Sequence, residues 1–298
     1  MRVFLTGGTG YVGSAVLDSL VRGGHRVDAL VRNTEGAAKV QARGAHPVIG
    51  ELLQPASWRD AAAAAEGSIH AAAQPGARAR AADEAAVDVL TMLPPKNNRF
   101  LIYTSGVWVL GPATTPVDES APVNPMEIVS WRPAHEKRIL DTAAAGVRAS
   151  VVRPGILYGS SRGIVGDLFK DAANSLVRVV GSGENHWPLI YDRDLGELYA
   201  RIVNTPTASG VYHANDEGDE TVNDIVAALG AHAHTQPSIR HVPLPEARKK
   251  MGPSADALAL DQIVRSPRSR ALGWSPTLHS VAGNVARLFE EWKRGNAA

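Results

Sequence analysis

The sequence predicts an α/β protein built on a doubly wound parallel sheet. Three observations predict it. Apolar, strand-like stretches alternate with helical periodicity through the first half of the 298 residues. A glycine-rich turn joins the first strand to the first helix, and the alternating rhythm changes after Pro154. Alternation of this kind gives parallel strands, right-handed crossovers and helices on both faces of the sheet.

Val3-Phe4-Leu5 opens the chain as a strand; the glycines that follow interrupt any resemblance to a signal peptide. Thr6-Gly7-Gly8-Thr9-Gly10-Tyr11-Val12-Gly13 turns the chain, and Ser14 to Val21 carries apolar residues at helical spacing. Strand, tight glycine turn and helix in that order form a dinucleotide-binding unit. Gly7 permits the sharp turn, Gly10 the approach of backbone to a pyrophosphate, and Gly13 the packing of helix on strand. The helix N-terminus offers free N–H groups and partial positive charge to the phosphates. Gly10→Val is therefore expected to abolish most dinucleotide binding while the fold survives; unchanged affinity by calorimetry would remove this cofactor site.

His25 to Val31 follows the Gly23-Gly24 stop as a second strand, and His46 to Gly50 is a short third. Ser57 is the expected helix cap before Trp58 and the alanine run. Ser68 to Ala72 is a fourth strand, and Ala79 to Met92 a helix ended by Pro94-Pro95. Arg99 to Thr104 is a buried-type strand. Pro133 to Ala145 is a helix ended by Gly146, and Ala149 to Val152 is the next strand. Beyond Pro154, Gly, Ser and Arg cluster at 159–163, before a helix-like stretch and Val177 to Gly183. Asp194 to Val203 is helical, and Val211 to Ala214 is the last strand of the main sheet. The tail after Thr221 holds helix signals, a proline-rich connector at 236–245 and Gly273-Trp274-Ser275-Pro276; residues 295–298 are expected to fray.

A net charge of +1 gives no electrostatic footprint for nucleic acid or an anionic membrane. The absence of cysteine excludes disulfides, thiolate metal ligands and cysteine nucleophiles. No apolar run approaches transmembrane length. The His232-x-His234 pair has metal-like spacing but no acid cluster beside it, and reads as a solvated pair. The expectation is a cytoplasmic protein acting on a small-molecule substrate, with no nucleic acid, membrane or metal partner; a homodimer stays open.

Four landmarks recur in a known order: the Gly-x-x-Gly-x-x-Gly turn, Leu101-Ile102-Tyr103-Thr104-Ser105-Gly106, Val151-Val152-Arg153-Pro154-Gly155-Ile156-Leu157-Tyr158-Gly159 and Trp187-Pro188-Leu189-Ile190-Tyr191-Asp192-Arg193-Asp194-Leu195. Together they resemble the extended, epimerase-like branch of the short-chain dehydrogenase/reductase superfamily (the NAD-dependent epimerase/dehydratase type), over most of the chain to about residue 230. The resemblance implies a Rossmann-type sheet formed by residues 1–155 and 188–215, and a smaller C-terminal substrate domain formed by 156–187 and 216–298. It implies cofactor contacts at Gly7, Thr9, Gly10, Tyr11, Val12 and Gly13, at Ala71 and Ala72, at Thr104, and along Arg153-Pro154-Gly155 beside the nicotinamide. There Pro154 fixes φ and Gly155 permits close approach. Arg32 ends the second strand with no acid after it, and Asp28 lies too early, inside the strand. An arginine there favours the 2′-phosphate, hence NADP(H) over NAD(H). Glu51 stands where relatives contact the adenine amine.

The family transfers protons through a Ser/Thr, a Tyr and a Lys, the last two spaced Tyr-x-x-x-Lys on the helix before Arg153. Here that helix reads Ser130-Trp131-Arg132-Pro133-Ala134-His135-Glu136-Lys137-Arg138-Ile139-Leu140, with no tyrosine. Trp131 and His135 have the four-residue spacing; Lys137 lies roughly 200° around the helix from His135. Counting back from Gly111 puts the hydroxyl position on Gly106, so Thr104 and Ser105 are the nearby candidates. His135, with Ser105 as hydrogen-bond partner, is the candidate proton path, with Tyr158 and then Tyr191 behind it. Trp108, Trp187 and Tyr191 are candidates for an aromatic substrate pocket, whereas Arg162, Lys170 and Arg178 form no distinctive diphosphate site. The leading reading is an NADP(H)-dependent reductase of a small carbonyl or imine with an atypical proton donor. Its alternatives are a redox-neutral epimerase or dehydratase that retains its cofactor and a non-catalytic NADP-sensing regulator.

Overall fold

Strands buried on both faces read as apolar runs rather than alternations, and Val3-Phe4-Leu5, Phe100-Leu101-Ile102-Tyr103 and Val151-Val152 read that way. The computed structural model describes residues 1–298 apart from 75, 95, 233–236 and 298. Seven parallel strands form the main sheet: β1 (Arg2–Thr6), β2 (Arg26–Val31), β3 (His46–Ile49), β4 (Gly67–His70), β5 (Phe100–Thr104), β6 (Arg148–Pro154) and β7 (Gly210–Ala214). Their order is β7-β6-β5-β4-β1-β2-β3. Successive side chains point to opposite faces. Val3 and Leu5 of β1 enter one core and Phe4 the other; Phe100 and Ile102 of β5 separate from Leu101 and Tyr103 in the same way.

The first core is closed by α1 (Tyr11–Arg22), α2 (Thr34–Gln41) and α7 (Asp192–Asn204), through Val16, Leu20, Val40, Leu198 and Ile202. The second is closed by α3 (Arg59–Ala64), α4 (Ala79–Thr91) and α5 (Arg132–Asp141), through Ala62, Ala86, Val87 and Ile139. The chain builds from β1 outward to β3, crosses back to β4, and then builds outward on the other side. The order reverses between β1 and β4, and ligands of open α/β sheets bind outside the carboxyl ends of the strands at such a point.

A third core gathers Ile156, Tyr158 and α6 (Gly163–Ala173) with the C-terminal helices Val222–His232 and Val285–Ala297, where Phe169 packs on Phe289 at a ring distance of 5.7 Å. Three short parallel pairs accompany it: Ile156–Tyr158 with Leu189–Tyr191, Leu176–Val180 with Ser238–Val242, and Ala113–Val117 with Gln262–Val264. Buried Gln262 donates to the carbonyls of Val107 (3.0 Å) and Gly111 (2.7 Å), anchoring the loop after β5 to the tail.

Several local details differ from the sequence reading. Ser57 does not cap α3, which starts after Trp58; its hydroxyl donates to the Gln54 carbonyl instead and accepts the Glu51 N–H. Helix α5 starts at Arg132 and passes into a tighter turn at Thr142–Ala145. The proline-rich connector contains a strand, Ser238–Val242. Pro95 of the proline stop, residue 236 at the head of that connector, His234 of the histidine pair and Ala298 of the expected frayed end lie outside the described residues. At the free edge of the sheet, β3 is four residues long and includes Pro47, and the following Gly50 N–H donates inward to the Val31 carbonyl (2.9 Å).

Candidate active site

The glycine turn is held by close backbone contact. Gly7 has φ +79°, and a Cβ there would lie 2.6 Å from the Ala71 carbonyl oxygen and the Ala72 nitrogen. At Gly13 a Cβ would stand 2.1 Å from the Gly7 carbonyl oxygen, so helix α1 can sit on the turn only with glycine there. Helix α1 starts after Gly10 with no side-chain cap and no acid in its first turn. Its leading amides are thus open to an anion, and the cradle fits the pyrophosphate of a dinucleotide. Arg162 closes over this turn from the far side: it lies 5.2 Å from the Tyr11 ring, and donates to the Thr9 carbonyl (3.1 Å) and Ser14 Oγ (2.7 Å). The Tyr11 hydroxyl donates to the Gly159 carbonyl.

Beside the turn lies a cavity of about 300 Å³ formed by the start of α1 and the carboxyl ends of β4, β5 and β6. Tyr11, Val12, Ala71, Ala72, Thr104, Ser105, Pro154 and Gly155 all line it, as do Trp108, Val129, Ile156 and Ile164. Its one charged lining group among the described residues is Arg132. The Arg132 guanidinium donates to the Thr104 carbonyl (2.9 Å), has no carboxylate partner among the described residues, and leaves a buried Nε without an acceptor. Ser105 is 7 % exposed; its N–H is bound to the Val152 carbonyl (2.8 Å) while its hydroxyl has no partner among the described residues. The Thr104 hydroxyl is engaged by the Tyr199 hydroxyl at 2.6 Å.

His135 is not in this cavity. It is 4 % exposed, and its Nδ1 lies 2.7 Å from Asp83 Oδ2 on α4. Asp83 also receives His70 Nε2 (2.9 Å), the Tyr103 hydroxyl (2.6 Å) and the Trp131 indole N–H (3.1 Å). Although burial alone would raise it, the His135 and His70 contacts and the Tyr103 hydroxyl hold the Asp83 carboxyl far below the ordinary carboxylate range. The sequence placed Trp131 and His135 in the Tyr and Lys positions; the geometry instead brings Arg132 to the cavity, four residues after Ile128. Lys137 is exposed and pairs with Asp141 (2.7 Å).

Other expectations also change. Arg153 points away from the cavity into a buried pair with Glu136, Nε to Oε1 at 3.1 Å. Gly155 is required by a neighbour: a Cβ there would come within 2.3 Å of the Pro188 carbonyl oxygen. Tyr158 is fully buried, its ring 5.7 Å from that of Tyr191, and its hydroxyl is pushed far up by burial and by Asp216. Trp187 donates its indole N–H to the Leu258 carbonyl (3.0 Å), and the Tyr191 hydroxyl meets Glu291 at 3.1 Å; of the three aromatics, only Trp108 lines the cavity. Arg178 pairs with Asp171 (3.3 Å).

At the far end of the turn, Arg32 is exposed and makes no hydrogen bond or ion pair among the described residues, whereas Asp28 is buried and engaged by Arg2 and Arg26. Glu51 is half-buried, with its carbonyl held by the Trp58 indole at 3.1 Å. Arg132 and Asp83 had no signal in local spacing. The absence of a tyrosine four residues before the arginine is visible only once the helix register is known.

Residues 3–215 match the model of the NAD dependent epimerase/dehydratase family. The chain is 30% identical over 297 residues to an uncharacterised protein of Schizosaccharomyces pombe, covering 96% of this chain and 98% of that one. It is 36% identical over 172 residues to the 4-hydroxy-2-methyl-3-oxo-4-farnesyl-3,4-dihydroquinoline-1-oxide ketoreductase of Stigmatella aurantiaca, covering 54% of this chain and 51% of that enzyme. The human epimerase family protein SDR39U1, solved with NADPH, shares the fold at a TM-score of 0.77 and 21% identity, over 97% of this chain and 99% of that one.

His135→Phe removes one of the four donors to a buried carboxylate. It is expected to lower stability by about 1–3 kcal/mol and leave the pH dependence of turnover unchanged. Thermal unfolding and a pH–rate profile check this. An unchanged Tm with turnover lowered by about 10²-fold or more would return His135 to the proton path.

Proposed function

We propose that this chain, which belongs to the NAD-dependent epimerase/dehydratase family, is an NADP(H)-dependent reductase of a small carbonyl compound that works without a tyrosine acid. The family carries catalysis of the oxidoreductase or epimerase type. The observation that supports reduction is the donor set of the cavity: a free Ser105 hydroxyl and an unpaired Arg132, with no acid, histidine or lysine in the lining among the described residues. Donors without a base suit an acceptor carbonyl. An epimerase or dehydratase that removes a proton from carbon needs a base, which this lining does not offer. The ketoreductase of Stigmatella aurantiaca supports the same reading.

The glycine turn and the leading amides of α1 would hold the pyrophosphate, and Ala71, Ala72, Pro154 and Gly155 the nicotinamide end. When bound, the reduced nicotinamide supplies hydride to the carbonyl carbon. Ser105 donates a hydrogen bond to the carbonyl oxygen and so stabilises the negative charge that develops there. The oxygen takes its proton from water. Arginine does not deprotonate, and the Tyr11 hydroxyl is engaged in donating to the Gly159 carbonyl.

Arg32 directly follows β2, exposed and unpaired among the described residues, and the human protein of this fold was solved with NADPH; both support NADP(H). Arg32→Ala is expected to weaken NADPH by about ten- to a hundredfold and to spare NADH, the size of a charge-assisted contact. Equal losses for both would count against the phosphate reading. Ser105→Ala is expected to lower the rate of NADPH oxidation with a ketone by about 10²-fold, as for loss of one oxyanion donor. No NADPH consumption by the unmodified protein across aldehydes, ketones and imines would sink the reductase.

A further inference from the structure

Among the described residues, the cavity holds one positive charge and no carboxylate to balance it. Among the described residues, half-buried Arg132 has a single acceptor in the Thr104 carbonyl, and its buried Nε has no partner. A guanidinium taken this far from water is stabilised by a bidentate anion, and its planar fork matches a carboxylate. Ser105, 7 % exposed with an unpartnered hydroxyl, lines the same space. The opposite walls are hydrocarbon: Val107, Trp108, Val129, Ile156 and Ile164.

We infer that the substrate is an oxo monocarboxylate whose acid group pairs with Arg132 and whose apolar body fills the space between Trp108, Val129 and Ile164. The inference rests on the reductase reading of this cavity and narrows its substrate class. A phosphate or diphosphate fits worse, because no second cation lines the cavity among the described residues: Arg162 is spent on Thr9 and Ser14, and Arg153 on Glu136. A neutral ketone would leave Arg132 unpaired. Within about 300 Å³, shared with the nicotinamide end, the apolar body is of medium chain length.

The test uses 2-, 3- and 4-oxooctanoate and the methyl ester of each. Binding is measured by calorimetry to the protein alone and to the NADP⁺-loaded protein, and turnover by NADPH oxidation. At least one acid is expected to bind about 10- to 100-fold more tightly than its ester. Arg132→Gln is expected to erase that ratio while NADPH affinity stays within about twofold; Arg132→Lys should restore part of it. Esters binding as well as acids would overturn the inference, as would an Arg132→Gln loss confined to NADPH affinity with the acid-to-ester ratio intact. If esters are reduced and acids not preferred, the reductase stands and the carboxylate site falls. If acids are preferred in binding and nothing is reduced, the carboxylate site stands and the reductase falls.

Discussion

One buried carboxylate fixes the parts of this molecule on which the site depends. Asp83 takes donors from β4, β5, the residue before α5 and α5 itself, and through His70 it reaches β1: His70 Nδ1 lies 2.7 Å from Thr6 Oγ1, which accepts the Ala72 N–H at 3.3 Å. An isolated charge at this depth would be strongly unfavourable; four donors offset that cost. The consequence is positional. Thr6 ends β1 immediately before the glycine turn, and Ala72 lines the cavity, so the floor of the dinucleotide site is tied to the interior. The folded-state pKa of Asp83 lies below its unfolded value. Its contribution to stability is therefore complete at neutral pH and fades only in acid, as pH falls below the ordinary carboxylate range.

A second buried contact sets the roll of α5. Glu136 is held by Arg153 of β6, and Arg132 sits one turn earlier on the same side of the helix. Pinning Glu136 to the sheet thus aims Arg132 at the cavity. Arg153, a landmark of the sequence, acts through this pair: it orients the helix that supplies the site's charge.

The fold was legible because its signals are local. Strands buried on two faces give unbroken apolar runs, and the glycine turn announces itself by spacing. Cavity residues that follow directly from strand ends, such as Ala71, Ala72, Thr104, Ser105 and Gly155, were legible for the same reason. Arg132 was not, because with the tyrosine absent nothing in the helix sequence marks its register; the register depends on a pair formed across 17 residues. The role of His135 was not legible either, since its partner Asp83 lies 52 residues away. Trp187 and Tyr191 show the remaining ambiguity. A large aromatic near a strand end serves a core as well as a pocket, and only its hydrogen-bond partner decides.

The short outer strand of the sheet has a consequence for how copies of this protein meet. Since the Gly50 N–H points inward to β2, alternation along β3 turns position 47 outward, and a proline there has no N–H to offer. The exposed border therefore lacks a donor where an incoming segment would need one, within a run only four residues long. At the opposite border, the helix Pro267–Ala271 lies against β7: Ser269 Oγ donates to the His213 carbonyl and the Arg268 guanidinium lies 5.2 Å from the Tyr212 ring. A seven-stranded sheet with a blunted border and a covered one resists edge-to-edge polymerisation by its architecture, independently of its surface charge.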